Sequence, residues 1–251
     1  MKTHKLFKVS LKLLFSFLLV LVVYTFCPYK LDFLGHYNKV WAHRANSIEK
    51  LNSALNYYGG VELDLVYNTE NNFFDVNHPP SKSHDLKFET YIQGLKKPER
   101  LKGIWLDIKN LNKENASAIL YKIIKILDSK NIKYQSVLIE TRYPEALPIF
   151  TKMGFKTSYY LPYKLYQKND KELKNTVFKI NQILKNQPNI AISSSYKDYT
   201  IMHQYFPDTP KYFWDLVWPI NIDFLLTRRI LKDKTVKIVL VHYFAFKGNR
   251  F

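Results

Sequence analysis

The sequence predicts an α/β protein, a (β/α)8 TIM barrel that follows an N-terminal transmembrane anchor. From Val40 onward, eight short apolar runs alternate with longer segments that have helical spacing. Polar residues gather where the first runs end, and barrel enzymes place their chemistry at that position. A charge-free apolar run precedes this region and predicts the anchor. A doubly wound sheet is the alternative fold, but it usually has fewer strands, and no glycine-rich phosphate loop follows the first run.

Length and composition fit one folded domain. The chain has 251 residues, of which 47% are apolar and 16% aromatic, enough to bury a core, so disorder is excluded for most of it. The single cysteine, Cys27, cannot form an internal disulfide, and no Cys/His group has the spacing of a structural zinc site. The formal charge of +17 favours anionic partners such as phospholipid surfaces and phosphate esters. Because the sequence contains no recognisable nucleic-acid module, we expect no nucleic-acid partner.

Residues 1–30 form a separate membrane-directing segment. The run Leu13–Phe26 holds no charge and follows several lysines. It is shorter than the ~20 residues of a usual span, but Lys8 and Lys12 can extend their ammonium groups to the interface and let the helix begin earlier. We expect an uncleaved anchor with an extracytoplasmic domain. A cleaved signal peptide, giving a secreted protein, is the alternative, although Tyr24–Phe26 is bulky for a cleavage site.

The barrel domain is expected at residues 31–251. The predicted strands are Val40–Ala45, Val61–Tyr67, Gly103–Lys109, Val137–Thr141, Thr157–Leu161, Ile190–Ser194, Tyr212–Leu216 and Val236–His242. Amphipathic segments between them predict helices, and Ser47 and Pro144 are start signals of the kind found at helix N-termini. The predicted helices are Ile48–Tyr58, Asn115–Asp128, Pro144–Met153, Lys171–Leu184 and Ile222–Leu231.

Three carboxylates belong to the second and third predicted strands. Glu62 and Asp64 are two residues apart, so they share one face of a strand, and Asp107 lies on the next strand. Since neighbouring strands are about 4.8 Å apart, we expect the three side chains to meet in the barrel mouth. Their repulsion is relieved by protonation or by a divalent cation, and oxygen-only ligation suits Mg²⁺ or Ca²⁺. The alternative is a solvated strand edge with Asp107 as a capping or ion-pairing residue.

Two histidines and two cations lie near these carboxylates. His43 ends the first strand and His78 follows the second, and imidazoles are suited to moving protons to and from phosphate-ester oxygens. Arg44 can hold phosphate oxygens bidentately, and Lys109 can neutralise carboxylates or bind a phosphate. Asn46 can orient a ligand or cap the following helix, and local sequence favours the cap.

Glu140 and Arg142 form a further candidate pair at the end of the fourth strand. They either extend the metal or phosphate site or form a surface ion pair at a helix start. We treat Glu140 as a supporting candidate.

The motifs His43-Arg44, Asn46, Glu62-Leu63-Asp64, His78 and Leu106-Asp107-Ile108-Lys109 resemble the phospholipase-C-like phosphodiesterase superfamily. This superfamily includes glycerophosphodiester phosphodiesterases and sphingomyelinase D enzymes. The similarity is strongest to the menorin-like branch, and the motifs cover roughly residues 40–110.

The resemblance implies that Glu62, Asp64 and Asp107 bind one divalent cation, Mg²⁺ or Ca²⁺. It implies that His43 and His78 are the catalytic pair and that Arg44 and Lys109 bind the phosphoryl group of a phosphodiester or phospholipid-derived substrate. In such enzymes a neighbouring substrate hydroxyl commonly attacks phosphorus and gives a cyclic phosphate, which water then opens.

Several positions depart from the glycerophosphodiesterase pattern. Ala45 replaces the glycine that follows His-Arg in that branch, and Pro79 replaces an acid after His78. Asp107 stands where that branch usually has glutamate, whereas the sphingomyelinase-type and menorin-like patterns have aspartate there. A non-catalytic menorin-like barrel that binds a ligand or a partner protein at the cell surface is therefore the alternative function.

Overall fold

The computed structural model describes residues 2–216 and 223–245, with side chains from residue 11 onward. It contains nine strands: β1 (Val40–His43), β2 (Gly60–Asn68), β3 (Phe73–Val76), β4 (Gly103–Ile108), β5 (Val137–Thr141), β6 (Lys156–Tyr160), β7 (Ala191–Ser195), β8 (Lys211–Trp214) and β9 (Val236–His242). All eight predicted strands are confirmed. The strand β3 was not predicted from the sequence.

The strands close into a parallel barrel. Their order is β1, β9, β8, β7, β6, β5, β4, β2, and β2 pairs back to β1. The strand β3 lies outside this ring and pairs antiparallel with β2. Because the first strand has a parallel neighbour on both sides, the sheet has no open edge between its first and last strands, and the doubly wound alternative is excluded.

The helix α1 (Lys2–Phe26) precedes the first strand. The helices that connect strands and cover the outside of the barrel are α2 (Ile48–Ala54), α3 (Phe88–Gln93), α4 (Ala116–Asp128), α5 (Pro148–Lys152), α6 (Asp170–Asn186), α7 (Tyr199–Tyr205) and α8 (Phe224–Lys232). The single helix predicted from Pro144 is instead a 3-10 turn, Pro144–Ala146, followed by α5. A second proline, Pro148, has no N–H for a continuous ladder, so the helix restarts there.

The N-terminal segment is helical in the described residues, as α1. None of the helices within the described part of the chain meets the combined length and hydropathy of a membrane span. Most apolar side chains described in α1 are exposed, among them Leu13, Phe15 and Leu18. The side chains of residues 2–10 are not described, so the expected anchor lies partly outside the described residues.

Two apolar regions stabilise the barrel. The larger lies between strands and helices and includes Val61, Leu63 and Leu65, which confirms that these residues face away from Glu62 and Asp64. The smaller fills the barrel interior. It consists of Trp41, Trp105, Leu138, Ala191, Tyr212 and Leu240, with Trp214 and Ile238 packed against it. The polar mouth therefore rests on a packed apolar floor.

Candidate functional site

Glu62, Asp64 and Asp107 lie together in the barrel mouth. The register places Asp64 beside Asp107 on neighbouring parallel strands. One oxygen from each of the three carboxylates lies within 4.8 Å of the others. Glu62 and Asp64 are buried, at 2% and 1% exposure. The solvated-edge alternative is therefore wrong for these two residues.

The turn after β1 holds Glu62 through the backbone. Arg44 has a positive φ of 50°, a left-handed conformation that few non-glycine residues adopt. Its N–H donates to Glu62 Oε2 over 2.6 Å. Lys50 stabilises the same turn by donating to the carbonyl oxygens of His43 and Arg44, at 2.9 and 2.8 Å. The strained turn thus has partners on both sides, and it directs a backbone donor at the carboxylate.

Asn46 positions Asp64. Its side-chain amide donates to Asp64 Oδ2 over 2.7 Å, and its carbonyl oxygen accepts from the Asp64 N–H over 3.0 Å. The expectation that Asn46 caps the following helix is wrong, because Ser47 is the cap and accepts from the Lys50 N–H. Asn46 can bond to Asp64 of β2 because the neighbouring Ser47 supplies the N-cap of α2.

Lys109 lies between two of the carboxylates. Its ammonium group is 2.6 Å from Asp64 Oδ1 and forms a very short contact with Asp107. Burial acts to lower the pKa of Lys109, but the two carboxylates outweigh it and raise that pKa. Lys109 is therefore charged and neutralises part of the acidic cluster in this structure.

The remaining negative charge is unfavourable in a buried site. Burial, together with the neighbouring Asp64 and Asp107, raises the pKa of Glu62 well above its usual value. Burial also raises the pKa of Asp107, against the opposing effect of Lys109. Oxygen-only donors that are short of positive charge match the ligand preference of Mg²⁺ and Ca²⁺, so these residues fit the expected cation.

The two predicted histidines contact different residues of the site. His43 Nε2 is 3.7 Å from Glu62 Oε2, and burial lowers the pKa of His43 to about 3. His78 Nε2 is 2.9 Å from Arg44 Nη2. Because a guanidinium only donates, His78 accepts this hydrogen bond through an unprotonated Nε2. Both imidazoles thus present a neutral ring to the site.

Glu140 belongs to the barrel interior. It lies beside Asp107 in the strand register, and its carboxylate accepts from Trp105 Nε1 over 3.1 Å and from the Ser193 hydroxyl. Burial and the nearby Asp107 raise its pKa to about 8. The surface ion-pair alternative is wrong for this residue, since it is buried.

A cleft of about 310 Å³ opens beside the acidic cluster. It is lined by His78, Asp107, Lys109, Arg142, Tyr143 and Tyr160, among others. The Arg142 guanidinium lies 4.5 Å from the centre of the Tyr160 ring, a cation–π contact that holds the positive charge at the cleft wall. The cleft therefore offers an anionic ligand two cations and one imidazole.

Three polar side chains around the mouth had no predicted catalytic, metal-binding or phosphate-binding role. Asp215 follows β8 and lies 3.5 Å from His43 Nδ1, and His242 ends β9 with its Nε2 3.4 Å from Asp215. Lys50 supports the first turn, as described above. The position of Asp215 and His242 at strand ends was the available signal, but their meeting depends on closure of the barrel.

Residues 37–138 match the family model of the Menorin N-terminal domain. This range contains every motif on which the resemblance to the phosphodiesterase superfamily depends, and the resemblance is confirmed. Among the curated proteins compared, none matches this sequence.

Solved structures share the fold at low identity. A glycerophosphodiester phosphodiesterase from Parabacteroides distasonis is 14% identical with a TM-score of 0.56, covering 81% of this chain and 92% of that one. One from Thermotoga maritima is 18% identical with a TM-score of 0.51, covering 81% and 93%. An Oleispira antarctica phosphodiesterase, solved with the product sn-glycerol-3-phosphate, is 10% identical with a TM-score of 0.53, covering 82% and 93%. At these identities the likeness establishes the fold.

Proposed function

We propose that this protein is a metal-dependent phosphodiesterase that acts on a glycerophosphodiester or phospholipid-type substrate. The supporting observation is that Glu62, Asp64 and Asp107 offer oxygens within 4.8 Å of one another, beside a cleft lined by cations. The fold shared with glycerophosphodiester phosphodiesterases agrees with it.

The residues of the site divide into three tasks. Glu62, Asp64 and Asp107 would hold one Mg²⁺ or Ca²⁺, which when bound supplies positive charge to a phosphoryl oxygen. Arg44 would bind the phosphate, because its half-exposed guanidinium contacts His78 of the cleft wall and a guanidinium can donate to two phosphate oxygens. Lys109 would contact the phosphate as well as the carboxylates, since it also lines the cleft.

Proton transfer belongs to the imidazoles. When the Arg44 guanidinium moves from His78 to the phosphate, it frees the Nε2 lone pair of His78. That nitrogen can then accept the proton of an attacking hydroxyl, either a neighbouring hydroxyl of the substrate or water. His43 Nε2 lies 3.7 Å from Glu62 Oε2. Once His43 has taken up a proton from solvent in the substrate complex, it can pass that proton to the leaving oxygen, and His78 returns the proton of the nucleophile to solvent. Attack by a substrate hydroxyl gives a cyclic phosphate and an alcohol, and attack by water gives the monoester and the alcohol.

We also propose that α1 tethers the domain to a membrane and that the barrel is extracytoplasmic. Support comes from the apolar side chains that α1 leaves exposed and from the lysines that precede them. Carbonate extraction and protease protection of the full chain in cells test this. Release by carbonate, or a barrel protected inside intact cells, contradicts it.

The enzymatic proposal is tested with the full chain in detergent on a panel of glycerophosphodiesters, lysophospholipids and an aryl phosphodiester. Addition of Mg²⁺ or Ca²⁺ should produce turnover that EDTA abolishes. Glu62→Gln should lower it by about 10²–10³-fold, because a ligand to the cation is lost. Glu89→Gln is the matched control, since Glu89 pairs with Lys122 on the outside of the barrel.

A non-catalytic menorin-like barrel is the second candidate function. Two observations favour it: the match to the Menorin N-terminal domain and a Lys109 that already neutralises part of the acidic cluster. Absence of turnover on the whole panel, with a folded protein that still binds phosphate esters, would favour this candidate over the enzyme.

A further inference from the structure

A second cluster of metal-ligating side chains lies at the barrel mouth, on the opposite side of His43 from the carboxylates. It consists of His43, Asp215 and His242, which come from the ends of β1, β8 and β9. His43 and His242 are directly paired in the register of β1 and β9. One ligand atom from each of the three residues lies within 4.8 Å of the others.

The spacing matches a four-coordinate metal ion. His43 Nδ1 is 3.5 Å and His242 Nε2 is 3.4 Å from the same Asp215 oxygen. In a tetrahedral zinc site with bonds of 2.0–2.1 Å, neighbouring ligand atoms are about 3.3 Å apart. Only small movements are therefore needed to bring three ligands onto one ion.

An independent observation points into this cluster. His43 is buried, at 6% exposure, and its Nδ1 makes no hydrogen bond with any residue the structure describes. A buried nitrogen without a partner is costly, and a metal ion on Nδ1 would satisfy it. Asp215 has a positive φ of 61°, a strained conformation in a non-glycine residue at the mouth.

The donor set differs in chemistry from the carboxylate cluster. Two imidazole nitrogens and one carboxylate oxygen suit Zn²⁺ and its neighbours among transition metals, whereas three carboxylates suit Mg²⁺ or Ca²⁺. Three protein ligands leave a fourth position for water or another small ligand.

We propose that His43, Asp215 and His242 form a second metal site, selective for Zn²⁺ over Mg²⁺. The site shares His43 with the proposed proton-transfer machinery. Zinc on Nδ1 fixes the ring and prevents the imidazole from passing through its protonated state, so occupancy lowers turnover. This effect on turnover rests on the proposed function, whereas metal binding does not.

Co²⁺ is the probe, because four-coordinate Co²⁺ has intense visible absorption that six-coordinate Co²⁺ lacks. Titration of the full chain in detergent should give this spectrum with one equivalent, and Zn²⁺ should displace it. His242→Gln and Asp215→Asn should each weaken Co²⁺ binding by about 100-fold, since loss of even an outer-shell partner costs 10–100-fold.

Two control variants place the ion. His203→Gln removes a histidine from a different His–Asp pair, in which His203 Nδ1 is 3.0 Å from Asp233 Oδ2, and it should leave the spectrum unchanged. Glu62→Gln should also retain it. Loss of the spectrum in Glu62→Gln, or retention in both His242→Gln and Asp215→Asn, overturns the proposal.

A second measurement separates this proposal from the phosphodiesterase assignment. Zn²⁺ should lower Mg²⁺-supported turnover of the wild-type chain and leave that of His242→Gln at its zinc-free value. Equal inhibition of both chains contradicts the shared role of His43. If no phosphodiester is turned over, the enzymatic proposal fails, and the Co²⁺ spectrum still decides the metal site.

Discussion

Asp64 is held by several side chains of the site. It is held by the Asn46 amide and the Lys109 ammonium, and the Arg44 guanidinium lies 4.0 Å away. A carboxylate held from several sides keeps its orientation when a cation arrives, which is the purpose of outer-shell contacts in metal sites.

Removal of one such contact gives a graded prediction. Asn46→Ala should weaken Mg²⁺ binding by about 10–100-fold, because Asp64 loses its amide partner while all three ligands remain. Asp64→Asn should abolish measurable binding. Isothermal titration compares them, and equal affinities for Asn46→Ala and the unmodified chain would mean that Asn46 has no part in the site.

Substitution of Lys109 tests whether this residue is an internal counter-ion of the carboxylates, a phosphate ligand, or both. Lys109→Met removes the charge between Asp64 and Asp107, so Mg²⁺ affinity should rise by about tenfold, the effect of roughly 1.4 kcal/mol less competition. Turnover should nevertheless fall, because the phosphoryl group loses a cation. Unchanged Mg²⁺ affinity would show that Lys109 leaves the carboxylates without cost.

Asp233 gives a prediction on stability and pH away from the site. Partial burial acts to raise its pKa, but hydrogen bonds from Thr235 and His203 lower it to about 2. A carboxyl with a depressed folded-state pKa stabilises the protein above its usual pKa of 3.8 and loses that contribution as the pH falls through about 2. The excess stability of the unmodified chain over Asp233→Asn should therefore be full at pH 6 and shrink between pH 4 and 2 in urea titrations. A pH-independent difference would contradict this linkage.

Among the secondary-structure elements, the turn between β1 and α2 has the greatest influence on the site. Within a few residues it supplies a histidine, a left-handed arginine, the amide that holds Asp64 and the helix cap. Ser47→Ala should destabilise the fold by about 1 kcal/mol through loss of the N-cap, with Mg²⁺ affinity changed less than in Asn46→Ala. Chemical denaturation measures the loss in the free energy of unfolding. If the free energy of Mg²⁺ binding falls by more than the free energy of unfolding, the cap positions the metal ligands.

The strand β2 needs a glycine at its start. A Cβ on Gly60 would lie 2.4 Å from the Trp41 ring, so Gly60→Ala should cost about 1–3 kcal/mol through overpacking. The double variant Gly60→Ala, Trp41→Leu should recover part of that loss relative to the sum of the single changes. Strict additivity in denaturation experiments would argue against this contact.

Element by element, the sequence predicted the barrel strands well because each is an apolar run bounded by polar segments. The strand β3, Phe73–Val76, was not predicted. It is a short hairpin strand that directly follows the polar run Asn68–Asn72, so it does not fit the alternation of apolar runs with helical segments. The carboxylate cluster could be predicted from the alternation of side chains along two neighbouring strands. Asp215 and His242 lie more than 170 positions from His43, and their meeting requires the whole ring of strands to close.

For the molecule as a whole, barrel closure is what brings the two clusters to one mouth. The strands β1 and β2 are neighbours in the ring, and β9 flanks β1 on the other side, so His43 lies between carboxylates and the Asp215–His242 pair. If both proposed sites bind their ions, this placement would make the proposed enzyme responsive to two metals of different chemistry. With α1 as a tether, the mouth would work beside a membrane surface.

The most direct test of the carboxylate site is anomalous diffraction from crystals of the full chain soaked in Mn²⁺, an ion that accepts the same oxygen ligands as Mg²⁺. We predict one peak about 2.0–2.6 Å from oxygens of Glu62, Asp64 and Asp107. The ammonium group of Lys109 should turn away from Asp64 to make room for it. A structure without such a peak, in which Lys109 still bridges Asp64 and Asp107, would contradict the proposal that these three residues bind a catalytic cation.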